Sequence, residues 1–298
     1  MKLELSKLNT RQLVELGDAA AQSELHGLAR ELYARVATLV PSASHVLSRL
    51  GMATNPSART AKMVKALQAV EEVRPVNVFM ADGMATWLKT LPFMEDPRFL
   101  ALAQKHSALL PVANWHWNLQ TVLWAVQQVR EVEGDFVELG VFKGHTTHFV
   151  AEYVGFADWA RTWWLYDTFE GIPADQMERG WEANNRSVYV GTFSHDEVRA
   201  SFAAYPNIEV IKGRVPEILH EKTPEKVAFL HMDLNNAPAE IAALDLLFDR
   251  LAPGGVIVFD DYLWAVSKKQ YDAEKAWFAA KGLVILPVPT GQGVFIKR

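Results

Sequence analysis

From Gly134 onward the chain alternates short apolar runs with stretches of helix length, and few architectures accept that pattern. Asp135–Val141, Thr162–Tyr166, Asn207–Ile211, Val227–Met232, Gly255–Phe259, Leu283–Pro287 and Gly293–Lys297 read as strands. Helices are expected near His145–Val154, Asp196–Ala204, Ala239–Leu251 and Ser267–Lys281. Runs as continuous as Val227–Met232 suit strands covered on both faces, so the expectation is an α/β fold, a Rossmann-like doubly wound seven-stranded sheet. In such sheets ligands collect at the carboxyl ends of the strands, where loops converge and helix N-termini point. That rule selects the residues worth inspecting.

The first third reads differently. Leu25, Leu28, Leu32, Val36 and Leu39 recur at helical spacing, and Met63, Val64, Leu67 and Val70 do so after an Asn55-Pro56 start signal. Residues 1–110 are therefore expected to form a helical N-terminal extension serving as a lid, as packing or in oligomerisation, with the catalytic domain in residues 111–298. A homo-oligomer is expected.

The formal net charge of -5 offers no general attraction to phosphate backbones or anionic lipid. No apolar run approaches the ~20 residues a bilayer span needs, and the N-terminal stretch lacks the apolar core of a leader. Zero cysteines exclude disulfides, thiol catalysis and cysteine-ligated zinc. The expected setting is the cytoplasm and the expected partner a small molecule, with neither nucleic acid nor membrane involved.

After the first strand comes Glu138-Leu-Gly140-Val-Phe142-Lys-Gly144-His-Thr146, opening a helix. Gly140 and Gly144 allow a tight turn and a close ligand approach, although an ordinary strand-to-helix turn also fits two glycines four apart. Glu138, near the end of an apolar strand, needs a donor to offset its burial. The second strand ends at Asp167, the position from which an acid accepts ribose hydroxyls in nucleotide-binding sheets. The long polar segment from Ala174 to Tyr189 carries Trp181 and reads as a lid.

Strand four runs into Asp233, and strand five into Asp260 and Asp261. Neighbouring strands lie about 4.8 Å apart, so these carboxylates should converge. An all-oxygen cluster favours a hard divalent cation; alternatively, Asp260 and Asp261 cap a turn and Asp233 contacts a cofactor. His145, His148 and His231 lie close to these positions, and Trp181, Tyr262 and Trp264 are candidates for walling an acceptor or for packing.

Taken together, GDFVELGVFKGHT, YDTFEGIP, LHMDL, LAPGGVIVFDDY and PTGQGVFIK resemble, in order and spacing, the macrocin O-methyltransferase (TylF-like) family of class I methyltransferases. The resemblance covers about Gly134 to Arg298. It implies an O-methyltransferase with S-adenosylmethionine as donor and Mg2+ held by Asp233, Asp260 and Asp261, with Asp233 also the general base. It further implies that Glu138 and Asp167 hold the ribose region of the cofactor, and that Gly140, Phe142, Gly144 and Thr146 form its amino acid pocket. The acceptor would be a hydroxyl of a sugar, natural product or vicinal diol. One departure stands out: Asn235 and Asn236 replace the family's second acid and the leucine after it. Two rivals remain, a nicotinamide oxidoreductase, which should carry a G-x-G-x-x-G turn that this chain lacks, and a methyltransferase-like binding module.

Overall fold

The computed structural model describes residues 78–87, 89–109, 115–178 and 181–298, together with Gln12, Leu13, Leu16 and Leu32. The helices expected in residues 25–70 lie outside these, except that Leu32 is helical and buried. The chain divides into two compact units, one of residues 1–107 and 112–116, the other of residues 108–111 and 117–298.

The first unit corrects an expectation. Within the stretch read as helical, β1 (Val78–Ala81) and β2 (Met84–Trp87) form an antiparallel hairpin. Its turn is Asp82-Gly83, both at positive φ (53° and 68°), the residue pair that a two-residue hairpin turn favours. Helix α1 (Pro97–His106) follows, its N-cap Asp96 accepting from the Arg98 and Phe99 N–H groups at 2.9 and 3.0 Å. Phe79, Phe93 and Phe99 pack with His116, whose pKa burial lowers to about 4.

The second unit is the expected sheet. Its strands are β3 (Asp135–Leu139), β4 (Trp163–Asp167), β5 (Ile208–Lys212), β6 (Val227–Met232), β7 (Leu251–Phe259), β8 (Leu286–Pro287) and β9 (Gly293–Ile296), in the order β5-β4-β3-β6-β7-β9-β8. The pairings from β5 through to β7 are parallel, and β9 is antiparallel to both its neighbours. Every residue of β6 is buried, which explains a run that is apolar except for His231. Strand order reverses between β3 and β6, so the crevice for a ligand opens at their carboxyl ends.

Helices flank the strands: α2 (His116–Gln128), α3 (His145–Val154), α4 (Glu182–Asn184), α5 (His195–Ser201), α6 (Glu217–Glu221), α7 (Ala237–Leu247) and α8 (Lys268–Ala280). Helix α3 has the expected bounds, whereas α7 starts and ends earlier than expected because Asn236 caps it and Leu251 already belongs to β7. Asn236 Oδ1 accepts the Ala239 N–H at 2.9 Å, and Pro238 occupies the first turn, where no N–H is missed.

Between α7 and α8 lies a buried pair of acids, Glu240 and Glu274, both 0% exposed. Gln270 Nε2 donates to both Glu240 oxygens at 3.0 Å, and the Leu234 N–H adds a bond of 3.1 Å to Oε1. Burial, and to a lesser extent Asp261, push the Glu274 carboxyl up to about 7 from its ordinary 4.5, although its contacts with Glu240 and Gln270 pull the other way. Its folded pKa is raised, so the folded state holds a proton that the unfolded chain releases above pH 4.5. The contribution of Glu274 to stability is therefore fully present below about pH 4.5, is lost between about 4.5 and 7, and is level beyond. Glu274→Gln should remove that decline and stabilise the protein at pH 8 by about 2 kcal/mol, read as a higher midpoint in urea. A variant no more stable than the parent at pH 8 would contradict this.

Candidate active site

The turn from β3 into α3 is built on alternating positive-φ residues: Gly140 (86°), Phe142 (50°) and Gly144 (75°). Sequence reasoning gave Gly140 to ligand approach, but a more immediate constraint comes from the protein itself. A Cβ on Gly140 would lie 1.9 Å from the Asp233 carbonyl oxygen, so glycine here lets the loop after β6 cross the end of β3. The Asp233 N–H bonds the Leu139 carbonyl at 2.8 Å in the same crossing. At Gly144 a Cβ would meet the Phe202 ring at 2.7 Å.

Asp167 ends β4 and grips this turn. Its Oδ2 accepts the N–H groups of Val141 and Phe142 at 2.8 and 2.9 Å, and Oδ1 accepts that of Phe169 at 2.7 Å. This fastening role was not read from the sequence, because backbone donors leave no side-chain signal. Glu138 is 2% exposed: Oε2 accepts the Thr147 hydroxyl, and Oε1 lies 3.0 Å from His231 Nδ1. Thr146 stands in the first turn of α3.

Asp233, Asp260 and Asp261 follow the ends of β6 and β7, which pair in parallel register. Burial, then repulsion by Asp260 and Asp261, raises Asp233 well above the carboxylate range; burial, then Asp260 and Glu240, does the same to Asp261. Asp260 behaves oppositely. Burial pushes it up, but hydrogen bonds from His231, Asn118 and Gln292 overcome that and hold it low. His231, buried between Glu138 and Asp260, loses from burial and gains more from its bonds to Asp260 and Glu138, so its pKa is raised well above the ordinary value. Among the described residues, no three His, Asp or Glu side chains stand in a metal-ligating arrangement, so the three aspartates are neighbours without forming a preset cage. In chemistry they suit a hard cation: the donors are all oxygen, and their mutual repulsion is what a divalent charge would relieve.

The two asparagines have distinct local duties. Asn235 is left-handed (φ 58°), a conformation asparagine tolerates, and its Nδ2 donates to Asp233 Oδ1 at 2.9 Å. An aspartate there would present a second acceptor to that oxygen. Asn236 is the α7 cap already described.

The segment expected as a lid holds α4 and a π turn, Asn185–Tyr189. Asn185 fastens it: Oδ1 accepts the Ile172 N–H at 2.8 Å and Nδ2 donates to the Ile172 carbonyl at 3.2 Å. The Tyr189 ring meets Phe142 edge-on at 5.6 Å. Burial, then the charges of Asp233, Asp261, Asp167 and Asp260, raise the Tyr189 phenol, which lies within electrostatic reach of the acidic cluster. Tyr262, a candidate acceptor wall, instead packs in the core against Phe259 and Tyr271 and is 4% exposed. His148 stacks on Phe202 with centroids 3.8 Å apart, which makes it a packing residue.

Comparison with known proteins matches this arrangement to a family. The model of macrocin-O-methyltransferase (TylF) fits residues 116–281, more than half of the chain. The 8-demethyl-8-(2,3-dimethoxy-alpha-L-rhamnosyl)-tetracenomycin-C 4'-O-methyltransferase of Streptomyces olivaceus is 28% identical over 206 residues, covering 63% of this chain and 72% of that protein. Demethyldecarbamoylnovobiocin O-methyltransferase of Streptomyces niveus is 27% identical over 157 residues, covering 49% and 60%. Among solved structures, the O-methyltransferase NovP aligns with a TM-score of 0.53 at 22% identity, over 63% of this chain and 82% of that one, a likeness of fold. With its sheet, its glycine turn and its match over more than half its length, the chain belongs to the macrocin-O-methyltransferase (TylF) family of enzymes.

Proposed function

We propose that this enzyme transfers a methyl group from S-adenosylmethionine to a hydroxyl of a small-molecule acceptor, assisted by Mg2+ or another hard divalent cation. The observation that carries the reading is the meeting, at the carboxyl ends of adjacent strands, of a glycine turn clasped by Asp167 with three mutually repelling, partly buried carboxylates. The family match supports it over a nicotinamide oxidoreductase. The relatives named above are O-methyltransferases by their names, one of them acting on a rhamnosyl-tetracenomycin, so the acceptor class proposed is a sugar or natural-product hydroxyl. The absence of cysteine suits a cytoplasmic setting, and residues 1–110 are assigned to packing, lid or homo-oligomer contacts.

Gly140, Phe142, Gly144 and Thr146 would line the amino acid end of the cofactor. Asp167 fastens that turn and stands at the strand end where it would meet the ribose, while Glu138 supports the site through Thr147 and His231. Asp233, Asp260 and Asp261 would hold the cation, which when bound lowers the pKa of a ligated hydroxyl. Asp233 takes the hydroxyl proton as the acceptor oxygen attacks the methyl carbon; the new C–O bond forms as the methyl–sulfur bond breaks, leaving a neutral thioether. Tyr189 and Phe142 cover this region and exclude water.

Asp167→Ala should weaken cofactor binding by ~2 kcal/mol, roughly thirtyfold, because two N–H groups of the turn, Val141 and Phe142, and that of Phe169 lose their acceptor. Unchanged affinity by titration calorimetry would contradict that assignment. Activity is tested with methyl-tritiated S-adenosylmethionine and a panel of deoxysugar-bearing and vicinal-diol acceptors. Transfer lost in chelator and restored by Mg2+ is the expected result; full transfer in chelator would remove the cation from the mechanism.

A further inference from the structure

Every hydrogen bond reaching the Asp260 carboxylate from the described residues falls on a single oxygen. Asn118 Nδ2 donates to Oδ1 at 2.7 Å, Gln292 Nε2 at 3.1 Å, and His231 Nε2 lies 3.4 Å from the same atom. These donors come from α2, from the residue preceding β9, and from β6. They are 4%, 0% and 1% exposed respectively, so none of them can turn to solvent.

Each donor is itself held. The Thr290 hydroxyl donates to Gln292 Oε1 at 2.9 Å, which orients the amide so that its nitrogen faces Asp260. His231 has its other nitrogen on Glu138 Oε1, and Glu138 Oε2 takes the hydroxyl of Thr147, one residue beyond Thr146 at the start of α3. The Asp260 N–H is fixed to the Met232 carbonyl at 2.9 Å. A continuous polar chain thus runs from the cofactor turn, through the floor of the sheet, to one oxygen of one aspartate. A carboxylate oxygen offers two lone-pair sites, so three donors saturate Oδ1. The Asp260 side chain keeps 17% of its surface exposed.

We infer that Asp260 meets the cation through Oδ2 alone, and that Asn118, His231 and Gln292 are positioning residues that enforce this one-oxygen contact. The inference rests on the cation reading above. Its consequence is selectivity. Mg2+ demands octahedral geometry with one oxygen per carboxylate, whereas Ca2+ accepts bidentate carboxylates and more ligands. Denying Oδ1 to the ion therefore disfavours Ca2+. None of the motifs read from the sequence contains Asn118, and Gln292 was noted only as part of the C-terminal PTGQGVFIK segment.

The test is competition for Mn2+ on the full chain with adenosylhomocysteine present, following free Mn2+ by electron paramagnetic resonance while Mg2+ or Ca2+ is added. In wild type, Mg2+ should displace Mn2+ at lower concentration than Ca2+ does. Asn118→Ala combined with Gln292→Met should shift the Ca2+-to-Mg2+ preference about tenfold towards Ca2+, with adenosylhomocysteine affinity unchanged. Gln292→Met alone, close in shape, should shift it in the same direction and serves if the double variant misfolds. His231→Asn should shift it too, and His231→Gln, which keeps a donor, should partly restore it. An unchanged preference in folded variants would overturn the positioning role while leaving the cation reading intact. No Mn2+ binding by wild type would overturn both.

Discussion

Asp233→Asn should lower kcat by on the order of a hundredfold or more at saturating cofactor and Mg2+, with adenosylhomocysteine affinity within a few fold of wild type. The substitution keeps the size of the side chain and the fold around it, but removes both a ligand charge and the proposed proton acceptor. Burial, then Asp260 and Asp261, raise the proton affinity of Asp233, and burial, then Asp260 and Glu240, raise that of Asp261, so both carboxylates favour a proton and Asp233 is the one proposed as base. Asn118→Ala, which removes one donor to Asp260 and leaves the Asp233 carboxylate in place, should be milder. If Asp233→Asn and wild type turned over equally under these conditions, Asp233 would be no base.

The second large effect is structural. Gly140→Ala should destabilise the protein by about 3 kcal/mol or more and abolish measurable cofactor binding, because the added Cβ would sit 1.9 Å from the Asp233 carbonyl oxygen at a backbone φ of 86°. The obstacle is backbone, not a flexible side-chain tip, so the whole β6 loop must shift and Asp233 with it. By contrast, at Gly155 nothing lies within 4 Å of an added Cβ, so alanine there meets only the strain of its φ of 67°. Denaturant midpoints of the two variants separate the effects of collision and conformation; equal and small losses would show that the β6 loop yields easily.

The parallel strands, α3 and the adjacency of the two acidic strand ends were legible because each has a local signature: a continuous apolar run, a glycine turn, a carboxylate where a buried strand stops. The hairpin at Val78–Trp87 was missed although Asp82-Gly83 announces it, since the flanking segments had been read for helical spacing alone. Asn118 and Gln292 lie 142 and 32 residues from Asp260, and a hydrogen bond between distant amides and a carboxylate has no periodicity to detect. The same holds for Asp167, whose partners are backbone N–H groups. Asn235 and Asn236 looked like losses in the acidic motif; in the folded chain one fits a left-handed turn and holds Asp233, while the other starts α7.

All of this depends on the cofactor lying on the turn between β3 and α3. The direct test is calorimetric titration of the wild-type protein with adenosylhomocysteine, with NAD and NADP as controls, repeated on Asp167→Ala. The account predicts saturable binding of adenosylhomocysteine, no binding of either dinucleotide, and a roughly thirtyfold loss in the variant. Dinucleotide binding, or adenosylhomocysteine binding that the variant leaves unchanged, would contradict it.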